Sequence, residues 1–299
     1  MFSDLFWIFY LWSRSIVLFF IPKSLRLKDV SKDTVLITGA SRGLGRLLAI
    51  KFAPKVANVI ICGTNEDGLN ETKKLITESG GTCHSYVCDV SKRSSIEEMA
   101  SKIYKEVGSV TILVNNAGIV NGKKFEELKA EEIEKVFQVN VLSHFWTCKA
   151  FLPSMIKSDY GHIVCISSMA GIMAVPTLTD YCSSKFAALG FFESLYTEYK
   201  PKSNVNFTAV CCALVNTGMF AGTKSEVVPV LEPEYAADEI MKAMLTNQET
   251  LILPKMLNLV TFLKAITPLN VSPYVLRLFK GDKTMDSFVG HTRDDFKKD

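Results

Sequence analysis

Short runs rich in β-branched and aliphatic residues alternate along this chain with longer stretches whose apolar positions recur every three to four residues. Runs at 34–38, 58–62, 82–88, 111–115, 162–167, 206–211 and 251–253 predict seven strands. Between them the spacing predicts helices over 46–52, 69–79, 94–107, 131–156, 181–199 and 236–245. A parallel sheet covered by helices requires this alternation. The expected fold class is therefore α/β: a Rossmann-type, doubly wound sheet of seven parallel strands in a single domain. In such sheets ligands sit beyond the carboxyl ends of the strands, so the residues that follow each strand are the candidates for chemistry.

The two ends of the chain break the pattern. Residues 2–21 are aromatic and aliphatic apart from Ser3, Asp4 and the trio Ser13, Arg14 and Ser15. A spanning helix needs about 20 apolar residues, and a central arginine costs about 2.5–3.5 kcal/mol on insertion. A tilted span with a snorkelling Arg14, a hairpin and an interfacial helix each fit. Lys23, Arg26 and Lys28 then place the following domain on the cytosolic side. A cleaved secretory signal is the competing reading. It is disfavoured because the start carries no positive charge and no small-residue cleavage pattern follows Ile21. At the other end, residues 251–279 are apolar but are cut by Pro254, Pro268 and Pro273 into pieces too short to span. They lie on a bilayer, close a pocket or pack against the core. The expected organisation is a hydrophobic membrane anchor at 1–28, one large domain at 29–250 and a hydrophobic, membrane-associated C-terminal extension at 251–299.

Composition narrows the function classes. At 299 residues the chain has room for one large core with appendages, and 48% apolar with 22% charged residues is a globular balance. A net charge of +3, with no basic run interleaved with aromatics, argues against a nucleic-acid partner. Eight cysteines form no CxxC pair and read as buried, reduced thiols. The histidines His84, His144, His162 and His291 are far apart, so no metal is expected.

The chemistry-bearing residues fall where the strands end. The first strand runs into Thr38-Gly39-Ala40-Ser41-Arg42-Gly43-Leu44-Gly45, a GxxxGxG spacing that opens a helix. Glycines there permit a tight turn, a close backbone approach to a pyrophosphate and close helix–strand packing, while the helix N-terminus attracts the anion. Such a loop alone is a weak signal, since a plain strand-to-helix turn can look the same. Asp89 and Val90 follow the third strand, and Asn115-Asn116-Ala117-Gly118 closes the fourth.

Ser167-Ser168 ends the fifth strand, and thirteen residues beyond Ser168 begins Tyr181-Cys182-Ser183-Ser184-Lys185. Residues four apart share a helix face, so the Lys185 ammonium is expected beneath the Tyr181 hydroxyl. A nearby cation should draw a phenol down from its ordinary pKa of about 10 toward a value useful in proton transfer. A serine hydroxyl can hold a substrate oxygen against that phenol and stabilise charge developing on it. A tyrosine and a lysine four apart are ordinarily a solvated or packing pair, and the conjunction of motifs in this order carries the specificity.

With these motifs the chain resembles the short-chain dehydrogenase/reductase family over about residues 33–250. The resemblance implies an oxidoreductase in which 29–250 is the catalytic domain. It implies that Gly39, Ser41, Arg42, Gly43, Leu44 and Gly45 hold the cofactor phosphates. Asp89 and Val90 would lie beside the adenine, with Asn116, Ala117 and Gly118 flanking it. Ser168, Tyr181 and Lys185 would be catalytic, Tyr181 and Lys185 also contacting the cofactor, and they are joined by Asn140, which matches the family's helix asparagine that supports a water linking Lys185 to solvent. Thr217 would contact the cofactor, although Cys212 stands where the family commonly has proline.

Cofactor choice follows from charge at the end of the second strand. Gly63 stands where NAD-using relatives place an acid, Arg42 is positioned to meet a 2′-phosphate, and Thr64 and Asn65 can donate to it. NADP(H) is favoured over NAD(H). The segment 218–233, with Met219, Phe220, Val227, Val228, Val230 and Leu231, is expected to cover an apolar substrate.

Residues 115–125, 144–147, 149–153, 181–188, 231–233 and 285–289 look like the membrane-bound retinol dehydrogenase branch of the family, which includes the epidermal retinol dehydrogenases. That branch implies a retinol or retinal substrate and an endoplasmic-reticulum membrane or lipid-droplet location, with the catalytic domain facing the cytosol. An abundance of NADPH in cells favours carbonyl reduction. Hydroxysteroid dehydrogenase, long-chain fatty alcohol dehydrogenase and a non-catalytic lipid-droplet scaffold are the alternatives. Dimers and tetramers are common in the family, so a homo-oligomer is compatible with the resemblance.

Overall fold

The computed structural model describes residues 2–225, 228–278 and 280–290. Val227 of the expected cover, Phe279 of the apolar tail, and 291–299, including His291, lie outside the described residues. The strands β1 (Thr34–Thr38), β2 (Asn58–Gly63), β3 (Cys83–Val87), β4 (Ile112–Asn115), β5 (His162–Ile166), β6 (Asn206–Cys212) and β7 (Thr250–Leu253) form one sheet. Its order is β3-β2-β1-β4-β5-β6-β7 and every neighbouring pair is parallel. The sheet thus continues past residue 250 into the segment read as the C-terminal extension.

Parallel strands covered on both faces must be apolar throughout, and β1, β4 and β5 are buried at every position. On one face, α2 (Gly43–Phe52), α3 (Glu66–Glu78) and α8 (Pro233–Leu245) deliver Leu48, Phe52, Leu69, Ile76 and Ile240 to the core. On the other, Ile96 and Ile103 of α4 (Arg93–Glu106), Phe151 of α6 (Ser143–Lys157) and Phe192 of α7 (Thr179–Tyr199) complete it. All eight cysteines are buried and unpaired.

One predicted helix is not continuous. Residues 131–156 divide into α5 (Ala130–Phe137), a π-helical turn at Gln138–Leu142, and α6. The turn surrounds Asn140, which is fully buried and spends its amide on groups outside the helix. Such widened turns concentrate at functional sites.

The two apolar ends behave differently from the core. Along α1 (Phe2–Phe20) the side chains of Leu5, Trp7, Phe9, Trp12, Ile16 and Phe20 are exposed. Among the described residues no helix is long and apolar enough to cross a membrane. The joint after α1 is docked: the Lys28 amide donates to the Leu245 carbonyl at 2.9 Å, and Lys23 Nζ donates to Gln248 Oε1 at 2.6 Å. The C-terminal extension is part docked and part exposed. In α9 (Leu257–Ile266), Leu257 is buried in the core while Leu259, Phe262 and Ile266 are exposed. Beyond α10 (Ser272–Leu278), residues 284–290 return across the carboxyl end of the sheet.

Candidate active site

The glycine loop bends between β1 and α2 because Gly39 and Gly43 adopt φ of +66° and +58°, a region that favours glycine. A Cβ on Gly39 would meet Ala117 Cα at 2.8 Å, and one on Gly45 would meet the Asn116 amide nitrogen at 2.6 Å. The loop therefore lies flush on the end of β4. Thr38 fastens it: its Oγ1 accepts from the backbone amides of Asn116 and Ala117, both at 3.0 Å. The Asn116 side chain donates to the carbonyls of Thr38 at 2.8 Å and Gly39 at 3.2 Å. Asn116 is thus a structural clasp, and Thr38, which sequence reasoning gave no role, is its counterpart. A Cβ on Gly43 would stand 3.4 Å from Thr217 Cβ, so the segment after β6 also reaches the loop.

At the outer rim Arg42 caps α2 with extended backbone, Ser41 faces Gly63 and Thr64 is exposed. Asn65 caps α3 through Oδ1, which accepts from the Gly68 amide at 3.1 Å, leaving its amide nitrogen for other partners. Arg46, also unanticipated, ties α2 to α3. It donates to the Ser41 carbonyl at 2.5 Å and to Thr72 Oγ1 at 3.0 Å, and it pairs with Glu71 at 2.9 Å. Val90 is buried and Leu44 packs against the core. Burial works to raise the Asp89 carboxyl. Two hydrogen bonds from Ser91 and one from Lys135 at 3.3 Å outweigh it and hold the group below the usual carboxylate range.

The second cluster stands at the carboxyl end of β5. Ser168 Oγ accepts from the Ala170 amide at 3.1 Å and donates to the Cys212 carbonyl at 3.3 Å, whereas Ser167 turns toward the Lys185 carbonyl. The structure thereby separates the two adjacent serines. Tyr181 is only 4% exposed, and Lys185 Nζ lies 5.7 Å from the centre of its ring while donating to the Ile166 carbonyl at 2.9 Å. Asn140 Oδ1 accepts from the Ile119 amide at 2.8 Å. Its Nδ2 donates to the Ile119 carbonyl at 2.9 Å and to Ser184 Oγ at 3.0 Å. The asparagine side chain therefore locks the loop after β4 onto α7. A Cβ on Gly118 would stand 3.5 Å from both Asn140 Oδ1 and Lys185 Nζ, so this small residue brings the two clusters together.

The electrostatics correct one expectation. Burial raises the Tyr181 phenol above its ordinary value, the Ser168 hydroxyl pulling the other way. The net shift is upward, not toward neutrality, because desolvation is the largest effect on this buried phenol. Burial also lowers the Lys185 pKa. His144, packed beneath, is pushed down to about 3 by burial and then by Lys185, and so stays neutral.

Cys212, in the position where proline was expected, continues the strand: it pairs with Leu253 and offers its carbonyl to Ser168. Among the described residues no three His, Cys, Asp or Glu side chains cluster so as to hold a metal. A dinucleotide fits the remaining features. The glycine loop presents bare backbone at the N-terminus of α2, beside Gly118 and the Tyr181 cluster, and added side chains would fill that cradle.

The pattern of the family described as short chain dehydrogenase matches residues 33–227. Short-chain dehydrogenase/reductase family 16C member 6 from Bos taurus is 46% identical over 275 residues, covering 90% of this chain and 86% of the relative. Epidermal retinol dehydrogenase 2 from Homo sapiens is 44% identical, with 88% and 87% covered. Estradiol 17-beta-dehydrogenase 11 from Homo sapiens is 43% identical, with 85% of each covered. Among solved structures, a short-chain dehydrogenase/reductase from Burkholderia phymatum in complex with NAD shares the fold at a TM-score of 0.73 and 23% identity, covering 80% of this chain and 95% of that one. A metagenomic short-chain oxidoreductase in complex with NADP aligns at a TM-score of 0.64 and 27% identity, covering 76% and 97%. With its sheet order, its glycine loop and these likenesses together, the chain belongs to the short-chain dehydrogenase family and is an NAD(P)-dependent oxidoreductase acting on CH–OH groups.

Proposed function

We propose that this chain interconverts a lipophilic alcohol and its carbonyl compound, a retinoid foremost, and works in the reducing direction with NADP(H). The observation that carries the reading is the buried Tyr181 phenol, with the Ser168 hydroxyl beside it and the Lys185 ammonium 5.7 Å from its ring. When bound, the cofactor would contribute the hydride that reaches the carbonyl carbon. The chain's own residues handle the oxygen. Ser168 positions it and stabilises negative charge on it, and Tyr181 donates its hydroxyl proton to it. Burial keeps the phenol in its protonated form at neutral pH, which is the form that donates to a carbonyl oxygen; the reducing direction itself follows from the supply of NADPH. Lys185 supplies positive charge under the ring, and Asn140 holds the floor on which Lys185 and Gly118 meet.

The NADP(H) preference rests on Arg42 at the cap of α2 and on Gly63, where no acid opposes a 2′-phosphate. Gly39, Ser41, Gly43, Leu44 and Gly45 would line the phosphates, with Thr64, Asn65, Asp89, Val90, Asn116, Ala117 and Thr217 around the nucleoside. The retinoid assignment draws on the relatives named for retinol, and a hydroxysteroid is the second reading because a relative named for estradiol is almost as similar. The exposed aromatic and aliphatic side chains of α1, followed by Lys23 and Arg26, support a helix that lies in lipid and holds the 29–250 domain to the cytosolic surface of the endoplasmic reticulum or a lipid droplet.

Tyr181→Phe in the full chain, reconstituted in nanodiscs, should lower the rate of all-trans-retinal reduction by on the order of a thousandfold. NADPH affinity, read by cofactor fluorescence, should be unchanged. Turnover that survives the substitution overturns the mechanism. An unaltered wild type that binds NADPH but turns over no retinoid, steroid or long-chain aldehyde would instead indicate a scaffold.

A further inference from the structure

The cover over Tyr181 contains a residue that neither the family motifs nor the proton-transfer group accounts for. Tyr181 belongs to an apolar cluster with Ala170, Leu178, Cys182 and Met285, against which Val120, Val175, Phe220 and Phe288 pack. The Phe220 ring stands edge-on to Tyr181 at 5.6 Å between centroids, and Phe288 lies behind it at 6.4 Å. Met285 and Phe288 arrive on the 284–290 strap, which is laced to the segment after β6. The Val289 amide donates to the Ala221 carbonyl at 2.9 Å, the Lys224 amide to the Thr284 carbonyl at 3.3 Å, and Ser287 Oγ to the Gly222 carbonyl at 2.6 Å. The Phe288 ring is seated directly on Gly122, where φ is +64° and a Cβ would clash with Cε1 of the ring.

We infer that Phe288 is a specificity-determining residue that sets the apolar reach of the substrate site, so that the strap selects an elongated neutral alcohol or carbonyl compound. This rests on the lipophilic-substrate reading above. Among the described residues, the side chains that cluster around the Tyr181 ring on the strap side are apolar. The nearby Asp180 carboxylate is spent within the protein: Oδ2 accepts from Asn121 at 2.7 Å and Oδ1 from the Tyr181 amide at 2.8 Å. Against these rings a charged substrate tail would lose hydration, whereas a hydrocarbon gains contact with each ring it passes. Phe220 adjoins the reacting end. Phe288, one ring further out and held by both Gly122 and Phe220, meets the part of the substrate that a short molecule lacks.

The full chain in nanodiscs, assayed with NADPH against butanal and dodecanal, tests this. Phe288→Ala should lower kcat/KM for dodecanal by about tenfold or more and leave butanal within about twofold, in line with the worth of one pocket contact. Phe288→Leu should restore most of the loss, which a variant that merely unhinged the strap would not predict. Equal effects on both aldehydes, or no effect on either, overturn the assignment. Calorimetric titration of the NADPH-loaded protein with dodecanol and butanol asks the same question without turnover. If wild type binds dodecanol but reduces no aldehyde, the proposed reaction fails while selection by Phe288 is still decided by the variant's affinity. If wild type does not prefer dodecanol to butanol, the inference fails.

Discussion

The floor beneath the glycine loop and the cover above Tyr181 are built by opposite means. The floor is polar and short-range. Thr38, Asn116 and the loop carbonyls satisfy one another over the ends of two adjacent strands, and bare glycines let the backbones touch. The cover is apolar and long-range, with Phe220 and Phe288 brought together from segments separated by 65 residues at the Ser287–Gly222 hydrogen bond. A cofactor common to a whole family needs a fixed floor, and a substrate that differs between members is better served by a wall whose side chains can be exchanged without disturbing the sheet.

The contrast can be broken most forcefully at Thr38. Thr38→Val keeps the shape but leaves the Asn116 and Ala117 amides without their acceptor, at about 1–3 kcal/mol for each buried group. Urea unfolding should show a loss of about 2–4 kcal/mol, with Thr38→Ser close to wild type. If the valine variant is as stable as wild type, the floor is not held by these bonds.

Acid acts more gradually, over several pH units. His144, pushed to about 3, and His162, held well below its ordinary value by burial and then by Lys28, remain neutral in the folded protein, whereas both bind protons below about 6.5 when unfolded. The unfolded state therefore gains protons first. Stability should fall as pH drops below about 6.5, by up to about 1.4 kcal/mol per pH unit for each histidine. For His144 the loss stops growing near pH 3, where the folded protein also protonates. A chemical-denaturation series across that window, repeated with His144→Phe, should show a shallower slope in the variant. An unchanged slope removes His144 from the account. The smallest effect is expected at the rim of the floor. Arg42→Ala should raise KM for NADPH by about tenfold, the worth of one charge-assisted contact, and barely move KM for NADH. Equal changes for the two cofactors would dissociate Arg42 from the 2′-phosphate.

Legibility follows the same division. The strands are readable because a sheet buried on both faces demands unbroken apolar runs: β1 begins and ends where its pattern does, and β2 extends one residue further to Gly63. Helix starts are less readable where glycine or proline leads. α2 opens at Gly43 and α8 at Pro233, each three residues before the periodic pattern begins, since neither residue adds to a periodic stripe. The break at 138–142 is invisible to periodicity because Val139 and Val141 continue the apolar pattern, and Asn140 acts through partners on other elements.

Within the site, Tyr181, Lys185 and the loop glycines are fixed by spacing and could be read directly. The choice of Ser168 over Ser167 depended on family resemblance, and contacts on the far side of the sheet end now distinguish them. Thr38 had a sequence signal, a hydroxyl beside a loop glycine, but not one that reveals two acceptor bonds. The strap had none beyond its likeness to a branch of the family, because contact between 285–288 and 220–222 is created only by tertiary packing. The lowered Tyr181 pKa expected from the lysine did not survive burial, a quantity that spacing does not carry.

The joint at Lys28 has a mechanical consequence. Its ammonium, brought down to about 8 chiefly by burial, donates to His162 Nδ1 at 2.7 Å; Nε2 of that ring donates to Thr208 Oγ1 at 2.9 Å, which in turn donates to the Gln248 carbonyl at 2.7 Å. This chain grips the amino-terminal ends of β5 and β6, opposite the rim that carries Tyr181. If α1 rests in a lipid surface as proposed, the attachment would behave as a bracket instead of a leash: the domain could not swivel freely, and the mouth of the site would keep one bearing toward the lipid.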